Sequence, residues 1–150
     1  MMPGRSADDR DAGSALIEFL IMGIGILIPL AYLALAASAV QAGVFASTQA
    51  VREAGRAFVT SSTPAEAGAR AEAALRLAFD DHAITPPLGA LRVTCEGGPC
   101  LSPGTRVLVE VAWEVPLPWL PSDIVGPAPA LVPIRAEHRV PVDDFRGAPA

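Results

Sequence analysis

Apolar and polar positions are very unevenly distributed along this chain. Residues 19–51 contain no Asp, Glu, Lys or Arg, whereas the sequence beyond them is charged, proline-rich and only moderately apolar. As an α-helix, residues 19–40 would extend about 33 Å, against roughly 30 Å for the hydrocarbon core of a bilayer. One membrane crossing over about residues 19–40 is therefore predicted. The later apolar stretch, residues 117–134, is broken by Pro118, Pro121, Asp123, Pro127, Pro129 and Pro133, which excludes a polytopic protein.

Past the apolar run, AGVFASTQAVREAGRAFVTS continues without a Gly-Pro interruption, so the first helix is expected to reach about Phe58. Small residues recur every four positions as Ala39, Gly43 and Ser47, and again as Ala46, Ala50 and Ala54. These make faces on which another helix can come close, or they reflect no more than an Ala-rich helix. Pro29 lies inside the apolar run, removes a backbone donor and is expected to kink the helix.

A second helix starts at a capping-box pattern: Thr63 as N-cap, Pro64 at the first helical position and Glu66 at the third. Ala71, Ala74, Leu75, Ala78 and Phe79 follow at helical spacing until Asp80, Asp81 and His82 end it. Three strands come next. Residues 91–95 have strand character, and residues 105–115 alternate clearly, with Val107, Val109, Val111, Trp113 and Val115 on one face. In residues 133–142, Ile134, Ala136, His138, Val140 and Val142 oppose Arg135, Glu137 and Arg139. The expected fold is α+β: a long N-terminal transmembrane helix running into a small extracytoplasmic domain with a second helix and a three-stranded antiparallel sheet. Trp119, Leu120, Ile124 and Val125, in the Pro-rich connection between the last two strands, fill the edge of the core or form an interaction surface.

Charge and cysteine content narrow the picture. The formal net charge is −5 and the eleven basic residues are scattered arginines, which argues against a nucleic-acid partner. The only two cysteines, Cys95 and Cys100, enclose a tight Glu-Gly-Gly-Pro turn, so their pairing is unambiguous. A disulfide there would persist only in an oxidising compartment. Two cysteines would need two further ligands to hold zinc, and His82 and His138 lie on other elements; neither a metal nor a cofactor is expected. Asp80-Asp81-His82 is the one dense polar cluster and reads as a solvated helix terminus, so no catalytic residue is assigned and the chain is not expected to be an enzyme.

The N-terminus departs from an ordinary secretory signal, because MMPGRSADDRDAG is polar, with two Arg against three Asp, and the apolar run is too long. GSALIEF, with Gly13 and Ser14 five and four positions before Glu18, looks like a class III signal peptide, which prepilin peptidases cut after the glycine. That resemblance implies a leader of residues 1–13, cleavage between Gly13 and Ser14, and Glu18 as fifth mature residue. In such proteins this carboxylate pairs with a subunit amine during assembly. With the downstream QAVREAGRAF, the segment resembles the TadE-like proteins, minor pseudopilins of the tight-adherence (Tad) pilus system. Ala15, Glu18 and Phe19 match the family's start, and Ala50, Glu53, Ala54 and Arg56 match its second segment, with Gly55 where Ala is usual. The likeness is strongest over residues 13–60.

It implies a pilin-like helix over residues 14–59, an extracytoplasmic domain over residues 60–150, and a place in the cytoplasmic membrane with the N-terminus inside. The implied partners are the membrane, a prepilin peptidase, other pilins and the pilus assembly platform. Arginines on both sides, Arg5 and Arg10 against Arg52 and Arg56, orient the helix little. Two alternatives stay open: an uncleaved signal-anchored protein binding a partner through its Pro-rich face, and an exported protein cut beyond Ala36.

Overall fold

The computed structural model describes residues 8–117, 130–145 and 147, with side chains from Ala15 onward. Helix α1 spans Asp8–Val59 and helix α2 Pro64–Asp80, followed by strands β1 (Leu91–Glu96), β2 (Arg106–Pro116) and β3 (Leu131–Pro141). The chain divides into two units, Met1–Ala37 and Ser38–Ala150. The second unit therefore takes the last part of α1 together with everything after it.

Helix α1 is continuous through Pro29, whose ring leaves the carbonyl of Gly25 without an intrahelical donor. Within the first unit, every large aliphatic or aromatic residue from Leu16 to Leu35 other than Tyr32 exposes at least half of its surface. This stretch is apolar on all sides. That distinguishes it from an amphipathic surface helix, which buries one stripe.

In the second unit the sheet is antiparallel with order β1-β2-β3. The alternation read from the sequence is the one observed. Val107, Val109, Val111 and Val115 are buried and Trp113 packs half-buried beside them, while Leu108, Glu110, Ala112 and Glu114 point to the open face. Cys95, Val107 and Val140 face one another across the three strands, as do Leu91, Val111 and Ala136. The open face carries Arg92, Glu110, Arg135, Glu137 and Arg139.

Strand β3 tolerates two prolines for a reason visible in the register. The N–H of Val142 donates to Thr105 O at 2.9 Å and that of Leu117 to Ala130 O at 2.9 Å. Even-numbered residues of β3 thus form the hydrogen-bonded pairs with β2, and odd-numbered ones aim their backbone outward. Pro133 and Pro141 are odd-numbered, so neither removes a bond from the ladder. On this outer edge they also remove donors that would otherwise recruit another strand.

Helix α2 starts as predicted. Thr63 Oγ1 accepts from the N–H of Glu66 at 3.2 Å, and the Glu66 carboxylate accepts from the N–H and hydroxyl of Ser62 at 3.2 and 2.6 Å. At the other end, Ala83 takes a left-handed conformation (φ 55°). Its N–H donates to Asp80 O at 2.8 Å and that of Ile84 to Phe79 O at 3.0 Å, the paired bonds of a Schellman ending. Between the ends, Ala67, Ala71, Leu75, Ala78 and Phe79 are buried in one core with Val51, Ala54 and Phe58 of α1 and the inner valines of β2. Cys95 and Cys100 form a disulfide with Cα atoms 5.3 Å apart, and the following Leu101 is fully buried. The loop is thus tied both covalently and by apolar packing.

Candidate functional site

The residues that the sequence singles out lie along α1. Gly13 and Ser14 are within the helix, and helical geometry puts positions 14 and 18 one turn apart on one face. Glu18 is exposed, at the start of the uncovered apolar surface. Gly23 and Gly25 are open as well: an added Cβ at either would meet nothing within 4 Å. Among the described residues one helix, α1, is long and apolar enough to cross a membrane, and these residues lie on it.

The second unit shows what the small residues of α1 are for. Beside Gly43, an added Cβ would lie 2.7 Å from Val115 Cγ2 and 2.8 Å from Ile134 Cδ1. At Gly55 it would lie 2.6 Å from Val140 Cγ2. Both glycines let the helix backbone settle against the sheet. Between them, buried Ser47 donates its hydroxyl proton to Gly43 O at 2.8 Å and accepts from Trp113 Nε1 at 2.8 Å. The Trp113 ring also meets Phe79 of α2 edge to face, with centroids 5.3 Å apart.

The expectation that Gly43 and Ser47 open a face for another helix is therefore corrected: the chain's own sheet occupies it. Ala46, Ala50 and Ala54 are buried in the same internal core. Gly55 stands where a methyl group would collide with Val140. The small-residue spacing revealed a close approach. It did not reveal by what, because spacing describes one partner only.

These contacts also set the direction of the sheet. From Gly43 to Gly55, α1 advances about 18 Å at 1.5 Å per residue. From Ile134 to Val140, beside those same glycines, β3 advances about 20 Å at 3.4 Å per residue. The near equality makes β3 run close to parallel with α1. Within the second unit, the Val115 and Ile134 end of the sheet lies beside Gly43, and the Cys95–Cys100 loop lies at the other end.

Asp80, Asp81 and His82 stand at the end of α2, where Asp81 Oδ2 accepts from Gln49 Nε2 of α1 at 3.2 Å. Among the described residues no group of three or more His, Cys, Asp or Glu side chains converges as a metal site. At Glu66, hydrogen bonds from the hydroxyl and then the N–H of Ser62, aided by Arg70, hold the carboxyl below its ordinary pKa. Its neighbours make it a helix-start residue. Trp119, Leu120, Ile124 and Val125 lie outside the described residues. No family model, characterised protein or solved structure matches the chain.

Proposed function

We propose that this chain is a TadE-like minor pseudopilin of a Tad or type IV-like pilus or secretion filament. In this reading it is held in the cytoplasmic membrane by α1, N-terminus inside and domain outside. The observation that carries it is the two-part character of α1. The helix is uncovered and apolar on all sides through the first unit, and then presents glycines and a serine to its own sheet in the second. Such a helix serves as anchor at one end and as spine of a folded domain at the other.

The remaining elements follow from the resemblance. A prepilin peptidase cuts between Gly13 and Ser14, and the Ser14 amine, on its own or a neighbouring subunit, neutralises Glu18 within the membrane. A carboxylate near the bilayer centre costs on the order of 2–3 kcal/mol and less toward the interface, so a partner charge favours its retention. Pro29, which deprives one carbonyl of its intrahelical donor, lets the helix open locally and adjust as subunits pack. The disulfide supports an oxidising compartment for the domain. The chain's role is interaction with other pilins and the assembly platform, without catalysis.

N-terminal sequencing of the membrane-extracted protein tests this reading. A start at Ser14 supports it. A start at Met1 favours an uncleaved signal-anchor that binds a partner through its Pro-rich face, and one beyond Ala36 favours an exported form. Gly13→Trp should block processing, and equal gel mobility of variant and parent would count decisively against cleavage there.

A further inference from the structure

We infer that the domain pairs with a second copy of this chain through the outer edge of β1, joining the two sheets into one. The pairing needs only the Ser38–Ala150 unit and stands whether or not α1 is an anchor. Backbone direction along β1 is the first ground for it. The N–H of Ala112 donates to Ala90 O at 3.0 Å, so even-numbered residues of β1 exchange hydrogen bonds with β2 and odd-numbered ones aim their N–H and C=O outward. Leu91, Val93 and Cys95 therefore present an unpaired row. Among the described residues no fourth strand takes it up.

The two edges of the sheet are built differently. Along β3 the outward-aimed positions include Pro133 and Pro141, with charged Arg135, Glu137 and Arg139 between them. Prolines and charges at such positions keep an edge from recruiting strands. Strand β1 holds no proline. Its outward-aimed positions carry Leu91, Val93 and the disulfide-bonded Cys95, which lie only half-buried against the core. Addition at β1 leaves only the guarded β3 edges free, so the assembly closes at two copies.

Charge on the open face selects the partner. At every second position β1 reads Arg92, Thr94, Glu96: a cation, a neutral residue and an anion. In an antiparallel neighbour of the same sequence this order is reversed, which makes it its own complement. With Thr94 opposite Thr94 of the second copy, each Arg92 stands directly across from a Glu96, and Val93 exchanges both backbone bonds with Cys95. The outward-aimed residues thus fall in the hydrogen-bonded pairs. Parallel pairing in register instead sets Arg92 beside Arg92 and Glu96 beside Glu96, which repel. Arg92 is exposed and has no ion-pair partner among the described residues. Glu96 Oε1 lies 3.8 Å from Arg139 Nε, and a carboxylate has a second oxygen for another cation.

The test uses the full chain in detergent micelles, disulfide intact, with an isotope-labelled copy and increasing amounts of unlabelled chain. Amide exchange at Val93 and Cys95 of the labelled copy should slow by about tenfold as the paired form comes to predominate. Exchange at Glu137, aimed outward from β3, should not change. Arg92→Glu and Glu96→Arg should each abolish the slowing, because each sets like charges opposite one another at both ends of the pair. Labelled Arg92→Glu mixed with unlabelled Glu96→Arg should recover it, as should both exchanges made in one chain. Recovery on mixing distinguishes a lost contact from a misfolded variant. Absence of slowing in the parent chain overturns the pairing. Slowing that survives both single reversals does so too, as does a loss that mixing fails to restore.

Discussion

Trp113 Nε1 donates to Ser47 Oγ at 2.8 Å, across a sequence separation of 66 residues. This bond joins β2 to α1 at the point where the Gly43 backbone already lies against Val115 and Ile134. Ser47 is fully buried, so its loss leaves the indole N–H and the Gly43 carbonyl without this partner. Ser47→Ala should therefore destabilise the domain by about 1–3 kcal/mol. Denaturant unfolding of the detergent-solubilised chain, followed by Trp fluorescence, reads this. An unchanged midpoint would show that the bond contributes nothing net.

The two helix glycines yield a comparison with an internal reference. Ala is favoured over Gly in a helix interior by about 1 kcal/mol, and Gly68 of α2 has nothing within 4 Å of an added Cβ. Gly68→Ala should stabilise the domain by that amount. Gly55→Ala gains the same propensity but drives its methyl to 2.6 Å from Val140 Cγ2, and overpacking of this kind costs about 1–3 kcal/mol. The difference between the two variants isolates the clash. If Gly55→Ala stabilises as much as Gly68→Ala, the close approach of α1 to β3 is wrong.

Reduction of Cys95–Cys100 should cost about 2 kcal/mol on the chain-entropy account, since the closed loop is short. The melting temperature with and without reductant reports it. Leu101 anchors the same loop by packing and is fully buried, so Leu101→Ala should cost about 2–5 kcal/mol, at least as much as the covalent link. Dominance of the disulfide over the leucine would mean that the loop is held by its crosslink alone.

Glu66 introduces a dependence on acidity. Its pKa is lowered in the folded chain relative to the ordinary value of 4.5. The folded state thus favours the ionised form, and the resulting stabilisation is present above 4.5 and lost as pH falls through the lower folded value. Amide exchange at the Glu66 and Ala67 N–H groups should stay protected, after correction for intrinsic rates, from neutrality down to about 4.5. Below that it should accelerate, and Glu66→Gln should remove the transition. A transition that persists in the variant would assign it to another group.

Much of the architecture was legible in local patterns. The Thr63-Pro64-Glu66 start of α2 and the alternation of Val107 through Val115 are set by side chains acting on their own backbone or on a two-sided sheet, so sequence spacing suffices to read them. The predicted strand over residues 133–142 matches β3 to within two residues. The partial burial of His138 on the inner side of β3 follows from the same period of two.

By itself, then, the sequence determined that α1 is long, uncharged from Phe19 to Val51 and apolar enough to cross a bilayer, and that a helix and three strands follow. Only the tertiary structure decided where that uniform run changes partner. Composition cannot distinguish a helix surface bathed in an apolar solvent from one pressed on a sheet, since both favour small and aliphatic residues. The distinction comes from contacts distant in sequence: Gly43 with Val115 and Ile134, Ser47 with Trp113, Gly55 with Val140. Those contacts also place the sheet at a definite height along the helix, which no periodicity within α1 encodes.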